Sequence, residues 1–174
     1  MNRHRVLYTL LVWLSLIGAM TGTLSAQSSQ TIVNNKAGSL SSKLTDLEGV
    51  TDLTIEGVMD ATDLAAIAKA LPDLLRLDLE KVTFKEYIDP YDPYGGSSSA
   101  DCFPIGLNGK MTSLQELILP SSITKSTDGT LFGLKALTKL TCPTAVVPTI
   151  EGWGDELTSD EIYAQCTLYV QEEL

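Results

Sequence analysis

Four acidic residues, Glu86, Asp89, Asp92 and Asp101, fall in one stretch of this sequence, interleaved with Tyr87, Tyr91 and Tyr94. Carboxylates so grouped offer oxygen ligands to calcium, but their spacing matches no Asp-x-Asp-x-Asp-Gly loop. A glycosidase needs two carboxylates held at a fixed separation across a cleft, and nothing in the surrounding Pro, Gly and Ser residues fixes such a geometry. Asp155-Glu156 and Asp160-Glu161 read as solvated turn and cap residues. Tyrosines are better suited to recognition, because they bury large amphipathic area at low cost in conformational entropy. The stretch therefore reads as a contact loop for a protein surface or for sugar rings, with packing back over the fold as the bland alternative. No catalytic residue, metal ligand or cofactor is assigned.

Composition narrows the chemistry further. Arg3, His4 and Arg5 precede an uncharged apolar run from Val6 to Met20, and Thr-Gly-Thr-Leu-Ser-Ala then leads to Gln27. That is the pattern of a secretory signal peptide over residues 1–26, cut after Ala26; the run is short for a membrane span, which needs about 20 residues. The expectation is export to the periplasm, cell surface or medium, with no membrane insertion after cleavage. The chain's one histidine, His4, would leave with the signal, and with it any Ser-His-Asp or Cys-His mechanism and the commonest ligand for zinc, copper and iron. Of 12 Lys and Arg against 22 Asp and Glu, the signal holds two basic residues and no acidic ones, so the remainder carries 10 − 22 = −12. Such a balance repels phosphate backbones and anionic lipid, which excludes nucleic acid as a partner class. Cys102, Cys142 and Cys166 form no C-x-x-C pair; they read either as three buried thiols or as one bridge, Cys142 to Cys166, with a thiol left over.

What must position the contact loop is a repeated ladder. Leu71-Pro-Asp-Leu74-Leu-Arg-Leu77-Asp-Leu79 has the spacing L-x-x-L-x-x-L-x-L, which recurs over 47–55, 111–119 and 134–142. The last three positions of each copy alternate apolar, variable, apolar, the period of a half-buried strand, and the earlier pair spaced by three requires a turn curling into it. Thr167-Leu-Tyr-Val170 gives one further alternating strand. Residues 27–174 thus form about one domain, an α/β solenoid of leucine-rich-repeat type with parallel strands on one side and helices, then turns or 3-10 segments, on the other. Ser39 ahead of Leu40, Leu44 and Leu47 predicts a capped helix, and Asp60 or Thr62 caps a second whose face is Leu64, Ile67, Ala68 and Leu71. Ile32-Val33 reads as an edge strand or a frayed end. The step from Leu79 to Leu119 is 40 residues, against 24 and 23 for the steps on either side, and the excess is the irregular loop 87–101. The segment 143–174 is irregular, with Trp153 the candidate cap for the solenoid's end.

Alternation also predicts the outward face: Asp52, Thr54 and Glu56, then Arg76, Asp78 and Glu80, then Glu116 and Ile118, then Lys139 and Thr141, then Thr167 and Tyr169. Mixed charge with a few apolar members suits either a recognition surface or a solvated sheet.

Met111-Thr-Ser-Leu-Gln-Glu-Leu-Ile-Leu-Pro-Ser-Ser-Ile123 and Leu131-Phe-Gly-Leu-Lys-Ala-Leu-Thr-Lys-Leu-Thr-Cys-Pro143 resemble the BspA-like leucine-rich repeats of bacterial secreted and surface proteins. The resemblance covers 37–170. It implies a repeat solenoid and a role in adhesion or in binding host or matrix proteins, without assigning any binding residue. The combined expectation is a non-catalytic, exported module that recognises an extracellular or surface protein through the sheet face and the 87–101 loop. The alternatives are a glycan-binding protein using the tyrosines and a structural subunit of a surface assembly.

Overall fold

The computed structural model describes residues 28–88, 98–104, 106–107, 109–126, 131, 133–143 and 167–170. Residues 1–27, which include the expected signal peptide, and Tyr91, Tyr94, Trp153 and Cys166 lie outside them. The chain winds into a solenoid of about four turns with little helix. Its main sheet is wholly parallel, with strands β1 (Ser28–Asn34), β2 (Val50–Met59), β3 (Arg76–Asp78), β6 (Glu116–Ile118), β8 (Lys139–Cys142) and β9 (Thr167–Val170) side by side in that order. β4 (Val82–Phe84) continues alongside the second half of β2, and β5 (Cys102–Phe103) pairs with β7 (Lys125–Ser126) in a separate short sheet.

The repeated leucines explain the winding. Leu53, Leu77, Leu117, Leu140 and Leu168 face one another across successive strands, and the first four are essentially inaccessible to solvent. A fully buried leucine of this kind contributes about 1.5–3 kcal/mol. Each apolar pair spaced by three closes a turn in which the second residue's N–H donates back to the first residue's carbonyl: Val50 to Leu47, Leu74 to Leu71, Leu114 to Met111 and Leu137 to Leu134, at 3.0–3.3 Å. The turn satisfies the backbone while it delivers both side chains to the core.

The single α-helix among the described residues, α1 (Ala61–Ala70), is where the spacing places it, and Asp60 rather than Thr62 is its cap. Asp60 accepts from the backbone N–H groups of Thr62 and Asp63, and Asp63 reaches back to the N–H of Asp60 at 3.2 Å. Asp63 does more than complement the helix dipole. It is 1% exposed, and its carboxylate also accepts from the N–H of Gly38 at 2.7 Å and of Leu40 at 2.8 Å. Buried Asn34 donates to Val58 O, Lys36 O and the Asp63 carboxylate, which ties β1 to the helix start.

The helix expected after Ser39 is a 3-10 turn, Leu40–Lys43, and Ser39 makes no side-chain cap. The Ser39 hydroxyl instead donates to Lys36 O and Asn34 Oδ1. With the Leu40 N–H taken by Asp63, the segment is folded against its neighbours instead of forming further helical turns. β1 is a full seven-residue edge strand, parallel to β2, rather than a frayed end. Gly57 in β2 has φ +102°, and a Cβ there would lie 2.3 Å from Asn34 O, so only glycine lets β1 approach so closely.

Candidate functional site

The outward side chains of β2, β3, β6, β8 and β9 meet in lateral rungs because the strands pair without slippage. One rung reads Asp52, Arg76, Glu116, Lys139, Thr167; the next reads Thr54, Asp78, Ile118, Thr141, Tyr169. Neighbouring strands in a sheet stand about 4.8 Å apart, so oppositely charged side chains one strand apart touch.

Arg76 is the centre of the face. Its guanidinium contacts Asp52 Oδ1 at 3.0 Å, Asp78 Oδ2 at 2.9 Å and Glu116 Oε2 at 3.6 Å. Glu116 in turn takes Lys139 Nζ at 2.7 Å, and that ammonium sits 5.2 Å from the centre of the Tyr169 ring. Burial opposes the charge on Arg76, but the hydrogen bonds it donates to Asp52 and Asp78, together with the charge of those carboxylates, outweigh burial and raise the guanidinium pKa above its ordinary value. The contacts leave the Arg76 side chain 26% and the Asp78 side chain 17% exposed, half-buried by their own neighbours.

The structure thus joins six of the residues expected on this face, Asp52, Arg76, Asp78, Glu116, Lys139 and Tyr169, in one chain of contacts. Thr54 lies in the second rung, half-buried. Glu56 pairs with Lys81 Nζ at 2.8 Å, a partner the sequence did not single out, because the pairing depends on β4 lying beside β2. That contact with Glu56 raises the Lys81 pKa. Glu80 lies beyond the end of β3, exposed, with its N–H on Asp78 Oδ1. Leu168, expected to point inward, is 44% exposed and Tyr169 is 48% exposed; among the described residues β9 is the last strand of the sheet, with a neighbour on one side only.

The loop is closed at its base. Tyr87 and Ser98 exchange two backbone hydrogen bonds of 3.0 and 2.8 Å, forming an antiparallel bridge. Tyr87 itself is half-buried. Tyr91 and Tyr94, with Asp89 and Asp92, lie outside the described residues. Asp101 is held on the far side by Lys125 Nζ at 3.4 Å and by the Thr124 hydroxyl at 3.3 Å.

Cys102 and Cys142 are buried. Cys142 is a free thiol standing opposite Val170, not bridged to Cys166, and burial pushes its pKa up to about 11. At neutral pH it is an inert apolar group. Among the described residues no group of three His, Cys, Asp or Glu is placed to hold a metal ion, and no helix is long and apolar enough to cross a membrane. No protein-family model and no curated protein matches the chain.

Proposed function

We propose that this chain is a non-catalytic leucine-rich-repeat module of BspA-like type, exported from the cell, that binds a surface or extracellular protein through its sheet face and the 87–101 loop. The register of the outward residues supports this reading most directly. Five strands present two continuous rungs on a backbone that does not have to rearrange, which lowers the ordering cost of association. The ion pairs already made between Asp52, Arg76, Glu116 and Lys139 act as a fixed frame. Specific contact falls to the neutral members, Thr54, Ile118, Thr141 and above all the exposed Tyr169. Tyrosine beside a cation is a common anchor at protein interfaces.

The test is a screen of extracellular proteins and polysaccharides with three forms of the protein: unaltered, Thr141→Arg, and a loop form with residues 89–97 replaced by a short Gly-Ser turn. Thr141→Arg places a bulky charge beside Tyr169 without removing an ion pair. A protein ligand lost with Thr141→Arg, at unchanged melting temperature, supports the reading. A polysaccharide lost only with the loop form moves the function to the tyrosines. Self-association that either alteration disrupts supports the structural-subunit alternative, and a ligand indifferent to both overturns all three.

A further inference from the structure

A second surface lies at the edge of the solenoid where the first two repeats turn into their strands. Residues 44, 46–51 and 70–74 line a cleft of about 500 Å³ there. Its floor is apolar: Leu44, Leu71 and Leu74 are buried, and Leu47 and Val50 are half-buried beside the exposed ring of Pro72. Its rim carries three exposed carboxylates, Asp46, Glu48 and Asp73, and among the described residues no lysine or arginine lines it. Among the described residues these three side chains make no ion pair and no hydrogen bond. Thr51 also lines the cleft, and its hydroxyl oxygen is buried without a hydrogen-bond partner. A buried, unanswered hydroxyl is rare in a folded protein.

The cleft combines uncompensated negative charge with an apolar bed, and the two requirements together define its ligand. The carboxylates do not converge as a metal-ligand group, so a bare divalent cation cannot use them together. A purely apolar segment would bury them without compensation, at a steep cost. A cation on an alkyl stem satisfies both requirements, because lysine and arginine lay their methylenes on apolar surface and keep the charged head at the wet rim.

We propose that this cleft binds a basic side chain, arginine or lysine, of a partner polypeptide, its stem on Leu47, Val50 and Pro72 and its head among Asp46, Glu48 and Asp73. The site is separate from the sheet face, and each can fail without the other. At the rim, the negative charge of the chain also draws the basic segment in before contact is made.

The probe is the capped peptide acetyl-Gly-Arg-Gly-amide, titrated into the ¹⁵N-labelled protein. Saturable shifts confined to the amides of Leu47, Gly49, Val50, Thr51 and Leu74 are expected. The citrulline peptide, identical in shape but uncharged, should leave them unmoved. Methylguanidinium, a head without a stem, should bind about tenfold more weakly or worse, and free arginine, whose α-carboxylate the rim repels, should also bind more weakly than the peptide. The combined variant Asp46→Asn, Glu48→Gln and Asp73→Asn should weaken the peptide about tenfold or more, and Leu47→Ser should weaken it at unchanged charge. Thr141→Arg on the sheet face should have no effect. Unsaturable shifts spread over the acidic surface, equal response to citrulline, or undiminished binding to the triple variant would each overturn the site.

Discussion

The sheet face and the lead-in cleft are both acidic, and they handle their charge in opposite ways. On the face, Asp52, Asp78, Glu116 and Glu56 each have an arginine or lysine nitrogen within 3.6 Å. In the cleft, among the described residues, Asp46, Glu48 and Asp73 have none. The difference follows from how the two surfaces are built. Strand residues come into lateral register, so an arginine or lysine one strand over can answer a carboxylate. Turn residues project from the edge, where no neighbouring strand supplies a partner. Formal charge counts alone would rank the two surfaces together, yet among the described residues the cleft leaves all three of its carboxylates without an ion pair, whereas on the face only Glu80, beyond the end of β3, is left so.

The sharpest way to define a fully answered carboxylate is Asp63, the buried extreme of the series. Asp63→Ala would leave the N–H groups of Gly38, Leu40 and Asp60 without their acceptor and would remove the reciprocal half of the capping box, leaving the Asp60 cap itself in place. The expected loss is about 3 kcal/mol or more in denaturant unfolding, with Asp63→Asn intermediate because one acceptor oxygen survives. Arg76→Ala tests the face: it leaves Asp52 and Asp78 without a cation while Glu116 keeps Lys139, and the expected loss is about 1–2 kcal/mol, reduced from a buried pair's value by partial exposure. Added salt should narrow the gap between the two proteins by screening the repulsion. The triple neutralisation of Asp46, Glu48 and Asp73 should change stability by less than about 0.5 kcal/mol, on the stabilising side if at all. A cleft variant as damaging as Arg76→Ala would erase the contrast.

The strands were legible in the sequence because four copies of one spacing reinforce each other, and the rungs of the face followed from that spacing once the copies were stacked. Arg76 and Lys139 could be placed on the outward side, but their shared partner Glu116 depends on which strands are neighbours across a 40-residue step. The cleft was not legible. Leu47 and Leu71 were read only as core, and the acidic residues beside them sit in turns whose separation in space no local pattern encodes. Asn34 gave no signal either, since its partners at Val58 and Asp63 lie more than twenty residues away. Asp60-x-x-Asp63 did carry the spacing of a capping box with Asp in place of Glu, but the further donors at Gly38 and Leu40 belong to the tertiary fold. The helix after Ser39 failed for the same reason, because helical spacing of leucines cannot tell one helix from a 3-10 turn followed by a second turn.

Asp101 lies between the two extremes, fully at the surface yet paired, and it supplies the smallest and most direct test of the contrast. Its pKa is held below the ordinary carboxylate value first by a hydrogen bond from Ser99, against a desolvation effect of opposite sign, and then by Lys125. A carboxylate whose folded-state pKa is depressed contributes stability above its unfolded value of about 3.9, and that contribution disappears as pH falls through the lower folded-state value. The ¹³C carboxyl resonance of Asp101 should therefore titrate below about 3.9 in the folded protein. Ser99→Ala should return it toward the ordinary value, because the Ser99 hydrogen bond is the largest single cause of the depression. If Lys125→Ala moved it more, charge pairing rather than hydrogen bonding would govern exposed carboxylates here, and the unpaired rim of the cleft would then differ from the face in charge balance alone.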